Sequence, residues 1–188
     1  MNIGFIGLGR MGGAMARNLQ ASGHTLFVND VRREACNDVI TDGGLFIATP
    51  AEVARQVEAV LISVPGPDQV NDVLDGDDGL LAGLNDGMLV INATTISPSN
   101  SIENAQLCAA LGADYIDAPV SGGQHGAISG DLTAMVGADV IAFERARPIL
   151  ECITNRITHV GPIGSGSTIK LLNQLIFVSY QLVFAEGL

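Results

Sequence analysis

The sequence contains no tryptophan, and aromatic residues make up only 4% of its 188 residues. Basic residues are also scarce, because 9 Lys and Arg stand against 20 Asp and Glu, which gives a formal net charge of −11. An acidic chain repels nucleic-acid backbones and anionic lipid surfaces, so we expect neither nucleic acid nor a membrane as a partner. A local basic pocket for a small anionic substrate is still compatible with this balance.

Cysteine is rare, and its pattern excludes a disulfide framework. The three cysteines Cys36, Cys108 and Cys152 are odd in number and form no C-x-x-C pair. They are expected to be free thiols in a reducing compartment. The sequence also lacks an H-x-x-x-H motif, a Cys–His cluster and an acidic loop of EF-hand spacing, so we predict no metal site.

Long apolar runs are missing as well. The longest near-apolar stretch, residues 175–185, is interrupted by Ser179 and Gln181. It is shorter than the roughly 20 residues that a membrane-spanning helix needs. No charged leader precedes the first apolar run, so we expect a cytoplasmic protein without a targeting segment.

Apolar residues nevertheless form 47% of the chain, and short apolar runs alternate with helical patterns. The runs predict strands at residues 3–6, 25–28, 44–48, 59–63, 88–91, 114–117, 132–136 and 157–160. The patterns between them predict helices at residues 10–22, 33–40, 50–56, 67–74, 98–111 and 142–153, with Ser97 as the N-cap of the fifth. Such alternation predicts an α/β fold with a Rossmann-like, doubly wound, mostly parallel sheet.

The last helical pattern, residues 168–187, is apolar over most of its circumference. A helix of this kind needs burial on several sides. We therefore expect a homo-oligomer in which this C-terminal helix packs against a neighbouring subunit.

A glycine-rich loop follows the first predicted strand and opens the first predicted helix, with the sequence Gly7-Leu8-Gly9-Arg10-Met11-Gly12. In a G-x-G-x-x-G loop, the first glycine permits the tight turn, the second lets the backbone approach a pyrophosphate, and the third lets helix and strand pack closely. The helix N-terminus then faces the phosphates. All six residues are predicted to bind a dinucleotide, although the loop alone also fits a SAM- or FAD-binding domain.

The second predicted strand leads into Asn29 and Asp30, which we also predict to contact the cofactor. Asp30 lies 18 residues after Gly12. A carboxylate there would accept hydrogen bonds from the ribose hydroxyls of NAD and repel the 2′-phosphate of NADP. The alternative is that Asp30 only caps the following helix. Arg32 and Arg33 resemble an NADP site, so NAD is favoured and NADP remains the alternative.

Beyond the loop, the chain resembles the β-hydroxyacid dehydrogenase family, whose members include 3-hydroxyisobutyrate dehydrogenase and tartronate semialdehyde reductase. The resemblance rests on four segments in the family's order and covers the whole chain. They are the G-L-G-x-M-G-x-x-M-A-x-N-L string with Gly23-His24, the pair Val64-Pro65, the D-A-P-V-S-G-G segment at residues 117–123, and the G-x-G-x-x-x-K-x-x-N segment at residues 164–173.

The resemblance implies roles for particular residues. Val64, Pro65 and Thr95 would lie beside the cofactor. Ser121, Gly122 and Gly123 would bind the substrate carboxylate. Lys170 and Asn173 would be catalytic, and the reaction would be hydride transfer between a nicotinamide and a short β-hydroxy acid or its semialdehyde, similar to 3-hydroxyisobutyrate.

Lys170 is the candidate general acid/base for that reaction. A lysine works near neutral pH only if burial or a neighbouring cation lowers its pKa. Asn173 and Gln174 lie three and four residues further along, on the same side of a helix, and Asn173 could hold the hydroxyl or the ammonium. His125 is expected to be an exposed loop residue without a catalytic role.

Two departures from the family pattern stand out. Asn92 replaces an aspartate, which we expect to affect local packing more than chemistry. The family also continues as an all-helical domain beyond the matched motifs. We therefore expect residues 1–163 to be the NAD(P)-binding domain and residues 164–188 to be the start of a long interdomain helix. Two hypotheses follow: an active dehydrogenase, or a truncated nucleotide-binding module with little or no turnover.

Overall fold

The computed structural model describes residues 1–187 as an α/β fold around one mixed sheet. The strands are β1 (Asn2–Ile6), β2 (Thr25–Asn29), β3 (Leu45–Phe46), β4 (Ala59–Ile62), β5 (Leu89–Asn92), β6 (Asp114–Asp117), β7 (Val120–Ser121), β8 (Leu132–Gly137) and β9 (Thr154–Gly161). The helices are α1 (Gly12–Ala21), α2 (Asn37–Thr41), α3 (Pro50–Ala54), α4 (Pro67–Asp75), α5 (Pro98–Ala109), α6 (Gly123–Ser129), α7 (Val140–Glu151) and α8 (Ser165–Glu186). The predicted Rossmann-like fold class is confirmed.

Six strands form the parallel part of the sheet, in the order β3-β2-β1-β4-β5-β6. The chain winds from β1 towards β2 on one side and continues from β4 on the other, so the winding direction switches between β1 and β4. Ligands of doubly wound sheets bind at the carboxyl ends of the strands at this switch point. Strands covered by helices on both faces are buried throughout, as all four residues of β4 show.

The remaining strands extend the sheet beyond β6. Strand β8 is antiparallel to β6 and β7, whereas β9 is parallel to β8. A single residue pair, Asp117 with Gly137, joins β6 to β8. The carboxyl ends of β6 and β8 therefore meet only at this pair, next to the start of α8.

Side-chain N-caps mark the beginnings of α5 and α7. The Ser97 hydroxyl accepts a hydrogen bond from the Asn100 amide at 3.1 Å, which confirms the predicted N-cap of α5. The Asp139 carboxylate accepts from the amides of Ile141 and Ala142 at 2.8 and 2.9 Å and caps α7 in the same way. These bonds satisfy amides that a helix leaves without an internal partner.

The structure departs from the predicted elements in a few places. Strand β7 and helix α6 were not predicted, because a two-residue strand and a glycine-rich helix show no hydrophobic periodicity. Residues 33–40, predicted as one helix, form a 3-10 turn at Arg33–Cys36 followed by α2. The predicted strand 44–48 shrinks to β3, and α8 begins three residues earlier than predicted.

Helix α8 has 22 residues and is twice as long as the apolar run at residues 175–185 that it contains. Its 22 residues are long and apolar enough to cross a membrane by length and composition, although the expectation from the sequence rested on an eleven-residue run. One such helix is only weak evidence for a membrane-spanning segment, since core helices of soluble proteins can have the same length and composition. Only Gly166, Ser167 and Lys170 of α8 are buried, and the rest of the helix extends away from the sheet.

Candidate cofactor and substrate site

A cleft of about 880 Å³ opens at the switch point of the sheet. A volume of this size lies within the usual range of cofactor pockets, about 300–1,000 Å³. Most of the predicted site residues line this cleft: Gly7, Gly9, Arg10, Met11, Gly12, Asn29, Asp30, Val64, Pro65, Thr95 and Lys170. The fold therefore brings together residues from both halves of the chain at one place.

The glycine-rich loop has the geometry that its sequence predicts. Gly7 has a φ of +89°, and a Cβ there would lie 2.3 Å from the Ser63 carbonyl oxygen. A Cβ at Gly12 would lie 1.9 Å from the Gly7 carbonyl oxygen, so the helix packs closely on the turn. At Gly9 a Cβ would meet nothing within 4 Å, and the backbone there borders open space in the cleft.

That open space fits the phosphates of a dinucleotide. Within residues 1–187, the backbone amides of Arg10 and Met11, just before α1, have no protein acceptor. Amides at a helix N-terminus, together with the positive end of the helix dipole, bind phosphate oxygens. Leu8 is the exception among the loop residues, because its side chain is buried and does not line the cleft.

Asp30 has a structural contact that the sequence did not reveal. One carboxylate oxygen accepts a hydrogen bond from the Leu8 amide at 2.7 Å, and the other accepts from the Arg32 amide at 2.8 Å. The first bond ties the end of β2 to the glycine-rich loop, and the second forms a local turn. The side chain still lines the cleft, and carboxylate oxygens have further lone pairs for ribose hydroxyls.

The neighbours of Asp30 form one end of the cleft, which we expect to face the adenosine part of a cofactor. The Asn29 amide group donates to the carbonyls of Ile47 and Ala48 at 2.9 and 3.0 Å, so it mainly fixes the chain after β3. Arg32 lies 3.9 Å from the Asp30 carboxylate, and the Arg33 guanidinium lies 5.1 Å above the Phe46 ring. Both arginines line the cleft, so charges of both signs surround this end.

The residues that follow the carboxyl ends of β4 and β5 form the other end of the cleft. The Thr94 hydroxyl accepts from the Val64 amide at 3.1 Å, and the Asn92 side chain accepts from the Thr94 amide at 2.9 Å. The Asn92 amide group in turn donates to the Tyr115 hydroxyl at 2.8 Å. Asn92 is fully buried, which agrees with the expected packing role. This network holds exposed Thr95 at the mouth of the cleft.

Lys170 enters this end of the cleft from α8. Its Nζ donates to the Gln174 side-chain oxygen at 3.2 Å, and no ion pair forms with any carboxylate of residues 1–187. Burial lowers the pKa of the Lys170 ammonium below its usual range. Desolvation disfavours the charged form, so a neutral amine is more accessible here than on a surface lysine.

The predicted substrate residues Ser121, Gly122 and Gly123 do not line the cleft itself, although Ser121 contacts the helix that contains Lys170. The Ser121 hydroxyl is 3.5 Å from the Asn173 side-chain oxygen, so the two motifs that contain these residues meet. Gly122 and Gly123 are exposed and have positive φ values of 131° and 63° at the start of α6. Neither backbone amide has a protein acceptor within residues 1–187. His125 is exposed as expected, but it lies within helix α6 and not in the predicted loop.

Two polar contacts that sequence reasoning missed hold these segments in place. The Asn18 amide group of α1 donates to the Ala127 carbonyl at 2.8 Å and so ties the cofactor-side helix to α6. Asp117, which the motif suggested as part of the substrate segment, instead accepts hydrogen bonds from two amides at the start of α8. Neither partner could be found from the sequence, because each contact joins residues far apart in the chain.

Residues 1–187 contain no group of three or more His, Cys, Asp or Glu side chains that could hold a metal ion. All three cysteines are free. Cys36 and Cys108 are buried, whereas Cys152 is partly exposed and lies 3.6 Å from the His24 ring. The arrangement therefore consists of a nucleotide cleft, a buried lysine and polar groups around them.

Comparisons with known proteins agree with this geometry. Residues 2–161 match the family described as the NAD binding domain of 6-phosphogluconate dehydrogenase. The chain is 39% identical to 2-hydroxy-3-oxopropionate reductase of Escherichia coli K12, over 99% of the chain and 65% of that protein. It is 37% identical to 2-(hydroxymethyl)glutarate dehydrogenase of Eubacterium barkeri, over 100% of the chain and 62% of that protein.

A solved structure is similar over nearly the whole chain. The 3-hydroxyisobutyrate dehydrogenase of Mycobacterium tuberculosis, solved with L-serine, superposes with a TM-score of 0.93 at 32% identity, over 99% of this chain and 63% of that one. The chain thus spans less than two thirds of the length of these relatives, and α8 lies within the shared part. It belongs to the β-hydroxyacid dehydrogenase family, and residues 2–161 form its NAD-binding domain.

Proposed function

We propose that this chain is the cofactor-binding part of an NAD-dependent oxidoreductase that acts on short β-hydroxy acids or their semialdehydes, with Lys170 as the general acid/base. The observation that supports this most directly is the convergence of two distant segments on one cleft. The glycine-rich loop borders the cleft at its phosphate end, and the buried Lys170 borders it at the other.

NAD is the proposed cofactor, and Asp30 is the reason. Its carboxylate lines the adenosine end, where it would hydrogen-bond ribose hydroxyls and repel a 2′-phosphate. NADP is the alternative, because Arg32 and Arg33 line the same end. When bound, the nicotinamide supplies the hydride chemistry, and the protein supplies orientation and proton transfer.

The residues of this chain have separable roles in the proposed reaction. Lys170, as the neutral amine, would accept the proton of the substrate hydroxyl during oxidation and return it during reduction. Ser121 and Asn173 lie close enough to each other to contact the same small polar substrate. The exposed amides of Gly122 and Gly123 would bind the substrate carboxylate, and Thr95, Val64 and Pro65 would border the nicotinamide.

Calorimetric titration with NAD and with NADP, followed by assays with 3-hydroxyisobutyrate, tartronate and their semialdehydes, tests the proposal. We expect NAD to bind more tightly and Lys170→Ala to retain cofactor binding while losing turnover. Tighter binding of NADP would overturn the assignment of Asp30. Turnover undiminished by Lys170→Ala would remove the proposed acid/base.

A second candidate function is a nucleotide-binding module with little or no turnover. It is favoured by the exposure of every residue of α8 from Leu171 to Glu186, because no segment within residues 1–187 covers the helix surface that follows Lys170. Water exclusion strengthens the electrostatics of hydride-transfer sites. Tight NAD binding without measurable turnover of any tested acid would select this candidate, whereas turnover comparable with that of the full-length relatives would exclude it.

The oligomeric state of the chain, its cellular location and its division into two parts are further points of the proposal. The exposed apolar side chains of α8, including Leu175, Ile176 and Phe184, form a continuous surface that we expect to pack against a second copy of this chain. Free cysteines are compatible with a cytoplasmic location. Residues 1–163 would bind the dinucleotide, and residues 164–188 would contribute the lysine of the catalytic motif.

A further inference from the structure

Asp117 lies at the carboxyl end of β6, is almost fully buried, and does not line the cleft. One of its carboxylate oxygens accepts a hydrogen bond from the Gly164 amide at 2.8 Å, and the other accepts from the Ser167 amide at 2.6 Å. The first amides of a helix have no acceptor within the helix. Asp117 therefore satisfies the start of α8 from a strand that lies 47 and 50 residues earlier in the chain.

Two glycines let the backbone close around this carboxylate. A Cβ at Gly137 would lie 2.3 Å from one Asp117 oxygen. A Cβ at Gly166 would lie 2.9 Å from the other oxygen and 2.4 Å from the Met135 carbonyl oxygen. Because any larger residue at either position would collide with these atoms, the start of α8 packs closely against β6 and β8.

This end is also the only part of α8 that is buried among the described residues. Gly166, Ser167 and Lys170 are buried, whereas all residues from Leu171 to Gly187 are exposed. A second tie is the hydrogen bond between the hydroxyls of Ser167 and Ser101, at 2.9 Å. Lys170 follows Ser167 by three residues, about one helical turn. The position of its amine therefore depends on how the first turn is held.

We propose that Asp117 is a positioning residue: its carboxylate fixes the rotation of α8 and thereby places the Lys170 amine in the cleft. The inference deepens the proposed function, because it concerns the residue assigned there as acid/base. Asp117 touches neither the cleft nor the substrate residues. It acts on the site through the helix that contains Lys170, Asn173 and Gln174.

Lys170 is the only lysine in the sequence, so its amine can be followed directly in the full chain. The rate of acylation by acetic anhydride is measured by peptide mass spectrometry, from neutral pH to above the ordinary lysine pKa of about 10.4. The α-amino group of Met1 serves as an internal reference. In the unaltered chain, the labelling midpoint should lie below that of an exposed lysine, since the amine is desolvated.

Asp117→Asn replaces one carboxylate oxygen with an amide NH2 group, which donates and cannot accept a hydrogen bond, so one of the two backbone amides loses its acceptor. We expect the labelling midpoint of Lys170 to rise towards that of an exposed lysine and its labelling rate at high pH to increase. Asp117→Glu, which keeps both acceptors on a longer side chain, should restore the midpoint in part. NAD binding verifies that the sheet and the loop stay folded.

Asp139→Ala is the matched control, because Asp139 caps α7 in the same manner but holds no residue of the cleft. It should lower the unfolding midpoint in urea without moving the labelling midpoint of Lys170. If Asp117→Asn lowers stability and leaves the labelling midpoint unchanged, as Asp139→Ala does, Asp117 is merely structural and the proposal is overturned.

A kinetic measurement separates this inference from the proposed function. With a substrate that turns over, Asp117→Asn should lower kcat by about 100-fold, as expected for a displaced catalytic group, while the KM for NAD stays nearly constant. If the unaltered chain turns over no β-hydroxy acid, the proposed function fails. The acylation measurement still decides the role of Asp117 in that case.

Discussion

The carboxylate of Asp30 accepts a hydrogen bond from the backbone amide of Leu8 at 2.7 Å. The residue that borders the proposed adenosine end of the cleft therefore also holds the glycine-rich loop in place. The proposed function implies that cofactor choice and loop geometry are coupled through this one side chain. Substitutions of Asp30 should consequently affect two quantities: the affinity for any dinucleotide and the preference between NAD and NADP.

Asp30→Asn should shift the preference towards NADP. The asparagine oxygen can still accept from Leu8, but the negative charge that repels a 2′-phosphate is gone, and Arg32 and Arg33 remain. We expect the ratio of the two dissociation constants to change by about tenfold, equivalent to about 1.4 kcal/mol. Asp30→Ala should weaken both cofactors, because the loop loses its anchor. Calorimetric titration with each cofactor measures both effects.

Asp38→Asn is the control for that experiment. Asp38 also contacts an arginine, since its carboxylate lies 3.6 Å from Arg17, but it does not line the cleft. It should leave the ratio of NAD to NADP affinity unchanged. An equal shift in Asp38→Asn would mean that overall charge, and not contact with the ribose, sets the preference.

Two glycines of the loop should respond differently to replacement by alanine. One replacement should mainly lower NAD affinity, and the other should mainly lower the free energy of unfolding. Gly9→Ala places its Cβ in open space, so the free energy of unfolding should change little, while NAD affinity should fall because the Cβ lies where the pyrophosphate approaches. Gly12→Ala places its Cβ 1.9 Å from the Gly7 carbonyl oxygen, so it should destabilise the fold by about 1–3 kcal/mol. Urea unfolding and calorimetry together distinguish the two outcomes. A Gly9→Ala chain that binds NAD at full affinity would contradict the placement of the phosphates.

The sequence predicted the parts of this molecule that depend on local patterns. The apolar runs located the long strands, and the loop from Gly7 to Gly12 predicted the cleft at the end of β1. It could not predict what Asp117 contacts, because the D-A-P-V-S-G-G segment resembles a substrate-binding segment and says nothing about Gly164 and Ser167. The anchor role of Asp30 was hidden for the same reason, since the Leu8 amide lies 22 residues away.

The burial of Lys170 predicts that the free energy of unfolding depends on pH. Burial lowers its pKa in the folded chain, whereas the unfolded chain has the ordinary value of about 10.4. Between these two values Lys170 binds more protons in the unfolded chain than in the folded chain, so its contribution to the free energy of unfolding should rise as the pH rises through that window. Below the window, the buried ammonium destabilises the fold. Lys170→Met should therefore stabilise the protein at neutral pH and flatten this slope.

Urea unfolding measured from neutral pH to above pH 10 tests the linkage. Arg156→Met is the control, because it removes one positive charge from an exposed side chain that does not line the cleft. It should leave the slope as it is in the unaltered chain. A Lys170→Met chain that is less stable at neutral pH would show that the ammonium is favourably paired in solution and would remove the reason for a lowered pKa.

The exposed apolar side chains of α8 predict that the chain associates with itself. Ile176, Val183 and Phe184 expose 68%, 73% and 63% of their surface, and contiguous apolar patches of this kind mark interfaces. Size-exclusion chromatography with light scattering should show a dimer or higher oligomer at micromolar concentration. Ile176→Glu combined with Val183→Glu should dissociate it, because two charges would become buried in the interface. Ser179→Glu with Gln181→Glu adds the same charge on the same helix at polar positions and should have a smaller effect. A stable monomer of the unaltered chain would exclude packing of α8 against a second copy and leave its apolar surface to another partner.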